Sequence, residues 1–356
     1  MKKIAIFQED MDIGGIQKSL LNLLNSIDYS EYCVDLYLFE DNGCWIDNVN
    51  NNVNIKILKP LKRLYKYLPF DVALSKCCFD FDDIEENYDL AIDYNSYQPW
   101  TAAAAILVPA NKRVMWVHND IEIKYSEEWK YRVLFNVMKG KYKYFEAFAF
   151  VSSAIIEPFL NMTNQKDKEF FTAPNIVNTD EIMMSKDAVA DDIEFCSDCI
   201  NVCAVGRLCH QKGYDIMIDE FSKAFKKNDK LRLYIIGGGP DYESIASDIK
   251  KRDLDEYIKL LGRKDNPYSY MNKCDALLST SRYEGQGINI MEAKALGLQI
   301  IIPKHLEKYV EGISATDDLV SALISLEKMD KIPDNLSEYN TKTLAMIEKM
   351  CYSTIA

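Results

Sequence analysis

The sequence is short of positive charge, of histidine and of long apolar runs, and each shortage excludes something. Lys and Arg number 42 against 55 Asp and Glu, a formal net charge of −13. Nucleic-acid phosphates would be repelled by such a chain, so non-specific nucleic-acid binding is excluded. The excess is shared by both halves, with no acidic or basic tail. Histidine occurs three times, and no HxxxH or second CxxC pair accompanies Cys196-x2-Cys199. The group Cys196, Cys199, Cys203, Cys209 and His210 therefore lacks zinc-site spacing. Cys203 also lies in the apolar run 200–205, where alternate side chains point opposite ways. The ten cysteines are expected as reduced thiols in a cytoplasmic protein. The amino-terminal residues offer only Ile4 to Phe7 before Gln8, Glu9 and Asp10, far short of a signal peptide's apolar region. The longest uncharged stretch, 94–111, is broken by Asn95, Gln98, Pro99 and Pro109 and cannot span a bilayer. Internal repeats and low-complexity segments are missing too.

What is present is an ordinary globular balance, 48% hydrophobic and 27% charged over 356 residues, long enough for about two domains. Short β-rich runs alternate with runs of helical period, the pattern of parallel sheets with crossover helices. Strands are expected at 3–8, 34–40, 54–58, 90–94, 113–117 and 148–152. In the second half they are expected at 201–205, 232–237, 257–261, 276–279 and 299–303. Ile16, Leu20, Leu23, Leu24 and Ile27 recur at three- and four-residue steps and predict a helix between the first two strands. Further helices are expected near 213–226, 241–252, 266–273, 287–296 and 316–327. The polar, acidic stretch within 175–198 suits an exposed connection. The expected organisation is a first domain over 1–178, a second over 199–334 and a helix over 335–356. Both domains are α/β, Rossmann-like and doubly wound. Ligands of such sheets bind outside the carboxyl ends of the strands, so two facing domains would define an interdomain cleft.

The residue types at those strand ends carry the chemistry. Gly14 and Gly15 open the first helix, where backbone N–H groups can approach an anion and the helix dipole adds attraction. Arg207 and Lys212, five apart on the loop entering a helix, make a cation pair for a diphosphate, a bidentate fork and a point charge. Gly237, Gly238 and Gly239 mark either a strained turn or a close approach by a ligand or the opposite domain. In Glu284-Gly285-Gln286-Gly287-Ile288-Asn289-Ile290-Met291-Glu292, two carboxylates flank a glycine-rich strand-to-helix turn. The free N–H groups of Gln286, Gly287 and Ile288 would face the ligand. One polyhydroxylated, negatively charged ligand could meet all three features.

Together, the E-x7-E turn (Glu284, Glu292), the GRL-x3-KG loop (Arg207, Lys212), the GGGP strand end and the amino-terminal GGIQKSL resemble the retaining glycosyltransferases of family 4, enzymes of the GT-B fold. WVHND at 116–120, VSSA at 151–154 and PNIVN at 174–178 fall where that family has similar segments, so the resemblance covers about residues 1–330. It implies a nucleotide-sugar donor whose diphosphate and leaving group are held by Arg207 and Lys212, with Gly14 and Gly15 approaching the same phosphates. Glu292 would accept from the ribose hydroxyls, and Glu284 with the 286–288 amides would grip the transferred sugar. His118 would stand near the reacting centre, and Arg263 and Lys264 near the base. The resemblance makes UDP the default and GDP next. It implies no cofactor and no bound metal. The acidic stretch holding Asp80, Asp82 and Asp83 reads as a solvated connection rather than a Mg²⁺ site.

The chain departs from the family where Gln286 replaces a bulky residue, and where residues 303–308 replace a Gly-rich loop. The acceptor implied is a lipid-linked or surface polysaccharide: capsule, lipopolysaccharide or teichoic-type polymer. Two stretches without acids, 56–68 and 129–145, interleave basic residues with aromatics, which suits an anionic membrane surface on the inner face of the cell membrane. Alternative readings are a nucleotide-sugar epimerase of the same fold and an inactive partner subunit.

Overall fold

The computed structural model describes residues 1–41, 43–59, 68–81, 87–190 and 192–352. It resolves two compact units. The first comprises Met1–Ile176 with Ser337–Ala356, and the second Val177–Leu336.

The first unit is built on a seven-stranded sheet of β1 (Lys2–Gln8), β2 (Tyr32–Leu38), β3 (Val53–Ile57), β4 (Tyr88–Asp93), β5 (Ala110–Val117), β6 (Ala147–Phe150) and β7 (Glu169–Thr172). Their order is β3-β2-β1-β4-β5-β6-β7, and every pair is parallel. Helices cover parallel sheets on both faces, so their strands read as near-continuous apolar runs. Ile4, Ala5, Ile6 and Phe7 are accordingly all fully buried. The expected first helix spans Gly15–Leu24 and buries Leu20, Leu21, Leu23 and Leu24. Strand β7 is absent from the sequence expectation. It is a four-residue edge strand, EFFT, with no fully buried residue, too short to carry an alternation signal. The carboxy-terminal helix Ser337–Tyr352 buries Thr343, Ile347 and Met350, and the Thr343 hydroxyl donates to the Pro174 carbonyl.

The second unit repeats the plan with five parallel strands, β8 (Ile200–Val205), β9 (Leu231–Ile236), β10 (Ile258–Gly262), β11 (Ala276–Leu278) and β12 (Gln299–Ile301). Their order is β10-β9-β8-β11-β12. Each sheet thus grows one way and then reverses, between β1 and β4 in the first unit and between β8 and β11 in the second. The core of the second unit joins Val202, Leu233, Ile235 and Leu278 of the strands to Met217, Ile218 and Phe221 of the helix Tyr214–Phe225. Of the residues expected as an exposed connection, those from Val177 onward lie in this unit and include a helix, Thr179–Ser185. Asn178 caps it, and Ile182 is buried.

Two further expectations change. Cys196 and Cys199 form a disulfide rather than standing as reduced thiols. The turn brings their Cα atoms to 5.3 Å, inside the span a disulfide bridges. The basic run 129–145 is only in part a surface. Lys141 is buried and donates to the Ser96 carbonyl, and burial pulls its pKa down to about 8 against the attraction of Asp93. Tyr131 and Tyr142 are buried, and Lys143 pairs with Asp71 at 2.9 Å. In the other basic run, Lys56 is engaged by Asp35 at 3.0 Å, while residues 60–67, with Lys62, Arg63 and Lys66, lie outside the described residues. Asp82 and Asp83 also lie outside them. No described helix is long and apolar enough to cross a membrane.

Candidate active site at the strand ends of the second unit

Where a doubly wound sheet reverses its order, the loops leaving the two strands part in opposite directions and open a crevice for a ligand. In the second unit those loops are 206–213 after β8 and 279–287 after β11. Arg207 and Lys212 lie on one, and Glu284 on the other. The chain folds them against each other. Lys212 Nζ donates to Glu284 Oε1 at 2.5 Å, the carboxylate side chain 7% exposed and the lysine 19%. Around this pair, the Arg282 backbone N–H donates to the Gln211 carbonyl at 2.8 Å. The Thr280 hydroxyl donates to the Gly213 carbonyl at 2.9 Å, and Gln211 Nε2 donates to the Tyr283 carbonyl at 3.1 Å. The Arg282 guanidinium forks onto both oxygens of Asp215 at 2.9 and 2.6 Å. Arg207 is exposed, and among the described residues no hydrogen bond or ion pair engages its guanidinium.

The neighbouring loops complete the edge. At Gly237, whose φ is +148°, a Cβ would stand 1.9 Å from the Gly206 carbonyl oxygen. The glycine run thus reflects a close approach by the loop after β8 within the same unit. Gly287, at φ +72°, is the left-handed residue before the helix Ile288–Ala295, a conformation nearly closed to other residue types. It turns the chain into that helix, at whose start the backbone N–H groups lack intrahelical acceptors. Asn289 Nδ2 donates to the Val205 carbonyl at 2.7 Å and pins the helix to the end of β8. Gln286 and Glu292 are buried. Glu292, in the second turn, accepts from the Tyr268 hydroxyl at 2.8 Å. Arg263 is exposed and packs along Gly238. Lys264 is drawn into an ion pair with Asp192, which also accepts from the Tyr270 hydroxyl at 2.6 Å.

The other expected site residues belong to the first unit. Gly14 is the extended residue before the helix Gly15–Leu24, and a Cβ on Gly15 would meet open space. His118 follows β5 and is 7% exposed. Its Nε2 lies 2.7 Å from the Tyr94 carbonyl, which can only accept, so Nε2 carries the proton and Nδ1 is left as an acceptor. Nδ1 is buried without a hydrogen-bond partner among the described residues. Burial pulls the His118 pKa down to about 4, against the opposing pull of the Tyr94 hydrogen bond. The ring is therefore neutral near pH 7.

Sequence reasoning missed the Arg282–Asp215 fork, Thr280, Tyr268 and the contact of His305 Nε2 with the Ser281 carbonyl at 2.8 Å. Arg282 stands two residues before Glu284, and that proximity was the available signal. The rest are contacts between segments distant in the chain. No group of three or more His, Cys, Asp or Glu with metal-holding geometry occurs among the described residues.

Residues 191–343 match the family described as Glycosyl transferases group 1. The poly(glycerol-phosphate) alpha-glucosyltransferase of Bacillus subtilis is 26% identical over 226 residues, 60% of this chain and 32% of that one. The alpha-monoglucosyldiacylglycerol synthase of Acholeplasma laidlawii is 28% identical over 198 residues, 50% of each. The chain thus spans half or less of the length of these curated relatives. Among solved structures, Anabaena HepE in complex with UDP and glucose superposes with a TM-score of 0.72 at 16% identity, over 99% of this chain and 100% of that one.

One prediction follows from the buried imidazole. The folded-state pKa of His118, about 4, lies below the roughly 6.5 of an exposed histidine. Between these values the unfolded chain binds the proton more tightly, so stability falls as the pH drops through that window. Melting temperatures from pH 7 to 5 are expected to fall faster for the wild type than for His118→Gln; parallel curves would contradict the buried neutral ring. With two parallel sheets of this topology, the chain has the GT-B fold, and its residues 191–343 match the group 1 glycosyltransferase family.

Proposed function

We propose that the chain is a retaining, metal-independent hexosyltransferase of family 4. It would move a sugar from a nucleotide-sugar donor, UDP-linked by preference, to a lipid-linked or surface-polysaccharide acceptor. The single observation that carries this reading is the Lys212–Glu284 pair at the switch point of the second sheet. A carboxylate suited to sugar hydroxyls and a cation suited to a diphosphate are in contact there, with the exposed Arg207 on the same loop. In the absence of donor the carboxylate keeps the ammonium in place. When donor binds, Lys212 and Arg207 would lie against the diphosphate and stabilise the charge that develops as the glycosidic bond breaks. Two fixed cations can supply the charge neutralisation that a divalent metal supplies elsewhere. The departing phosphate would then take the acceptor proton on the same face, which retains the anomeric configuration. The backbone amides of 286–288 and the Glu284 carboxylate would orient the sugar, and Glu292 the ribose. Arg263 would lie near the base, with Lys264 behind it on Asp192. In the first unit, Gly14 and Gly15 open a helix whose first backbone N–H groups suit an anion. His118, neutral and with its Nε2 proton on the Tyr94 carbonyl, would accept a single hydrogen bond at Nδ1 rather than act as a cation.

The relatives support the acceptor class, since their names place glucose on a glycerol-phosphate polymer and on diacylglycerol. The HepE complex, with UDP and glucose bound to a similar fold, supports a UDP-sugar. Reversible docking on the inner membrane face belongs to the same proposal. It is supported by Trp129 and Val133, 68% and 54% exposed on the helix Trp129–Met138, beside the exposed Lys130 and Arg132.

Two tests follow. Arg207→Ala and Lys212→Ala are each expected to lower the release of UDP from UDP-glucose or UDP-N-acetylglucosamine by about 100-fold or more, with melting temperature little changed in Arg207→Ala and lowered in Lys212→Ala, which leaves the Glu284 carboxylate buried and unpaired. Near-normal turnover in both would remove the phosphate assignment. At low salt the protein is expected to float with anionic liposomes and to lose that binding when Trp129, Lys130 and Arg132 are all changed to Ala. No flotation, or flotation that survives those changes, would refute docking through this helix.

A further inference from the structure

Glu292 is held by a residue that the donor reading does not use. The short helix Pro267–Met271 begins at Asn266, whose side chain accepts from the Tyr268 backbone N–H at 3.1 Å. The Asn266 amide donates to the Ser185 carbonyl at 2.8 Å, which ties this helix to the end of Thr179–Ser185. Tyr268 is thereby placed with its ring buried, 5% exposed, and its hydroxyl on Glu292 Oε1. Burial and the neighbouring carboxylates of Glu292 and Glu181 push the phenol's titration far above its ordinary value, so the hydroxyl is a permanent donor. A glutamate side chain has three rotatable bonds, and a buried carboxylate without a fixed donor is both costly and poorly aimed. With one oxygen fixed by a rigid ring, the remaining acceptor capacity of the carboxylate has a defined direction.

We propose that Tyr268 is a positioning residue that aims Glu292 at the ribose 2′-hydroxyl of the nucleotide, so that the site selects ribonucleotides over 2′-deoxyribonucleotides. This rests on the donor-site reading above. The Tyr268 hydroxyl acts through Glu292 and touches no reacting atom, so its removal changes donor discrimination and donor KM rather than kcat.

The test measures the affinities of the full chain for UDP, GDP, ADP and CDP and for their 2′-deoxy counterparts, followed by the same measurements on variants. The wild type is expected to bind its preferred ribonucleotide about tenfold or more tightly than the deoxy form, as for a lost hydrogen bond to a charged group. In Tyr268→Phe, which removes one oxygen and keeps the ring, the ratio is expected to shrink to about threefold or less. Donor KM is expected to rise, kcat at saturating donor to stay near wild type, and the melting temperature to stay within a few degrees. Glu292→Gln is expected to erase the ratio. A folded Tyr268→Phe that keeps the wild-type ratio overturns the proposal. So does an unfolded one, which would mark the hydroxyl as structural. If Glu292→Gln keeps the ratio, the ribose contact itself is wrong. If the wild type binds no nucleotide at all, the donor-site reading fails rather than this step beyond it.

Discussion

The Lys212–Glu284 contact is the interaction on which the candidate site depends. The two residues are 72 positions apart, and they meet because β8 and β11 are neighbours at the point where the sheet reverses. A half-buried ammonium and a buried carboxylate each need a partner, and leaving either alone is far more unfavourable than keeping the pair. The pair therefore fixes both loops, and the Thr280–Gly213 and Gln211–Tyr283 bonds fill in around it. A site prepared in this way has its charges placed before any ligand arrives, which is where electrostatic catalysis gains most.

Backbone geometry does the rest. Gly237 lets the loop after β9 lie directly on the loop after β8, where a methyl group would collide with a carbonyl oxygen. Gly287 turns the chain into the helix that carries Glu292, and Asn289 fastens that helix to the end of β8. In the second unit the catalytic proposal accordingly draws on four loops of one parallel sheet. Within each unit the architecture is the same, seven strands in one and five in the other. The functional asymmetry lies in what sits at the strand ends: cations and carboxylates in the second unit, a glycine pair and a neutral buried imidazole in the first.

Much of the architecture was legible in the sequence, because alternation and helical period are local signals. Eleven of the strands coincide with apolar runs, whereas β7 is too short and too exposed to leave one. The strand-end motifs were legible for a related reason, since glycines and charges at fixed spacings are written contiguously. Contacts across the fold were not. Nothing in the order of residues says that Tyr268 meets Glu292 or that Arg282 meets Asp215, and nothing in KGKYKY reveals that Lys141 turns inward toward Asp93. That last case shows how a basic run can mislead. A lysine spaced like a surface residue was drawn into the core by a carbonyl and a buried carboxylate. The disulfide between Cys196 and Cys199 was hidden similarly, since the tight turn that brings the two together has no glycine or proline to mark it.

Amide hydrogen exchange with and without UDP would test most directly the claim that the reversal point of the second sheet is the nucleotide site. The account predicts slowed exchange concentrated in residues 206–213 and 284–290, the two loops joined by Lys212 and Glu284 and the start of the helix behind them. UDP binding that protects other segments and leaves these two unchanged would contradict it.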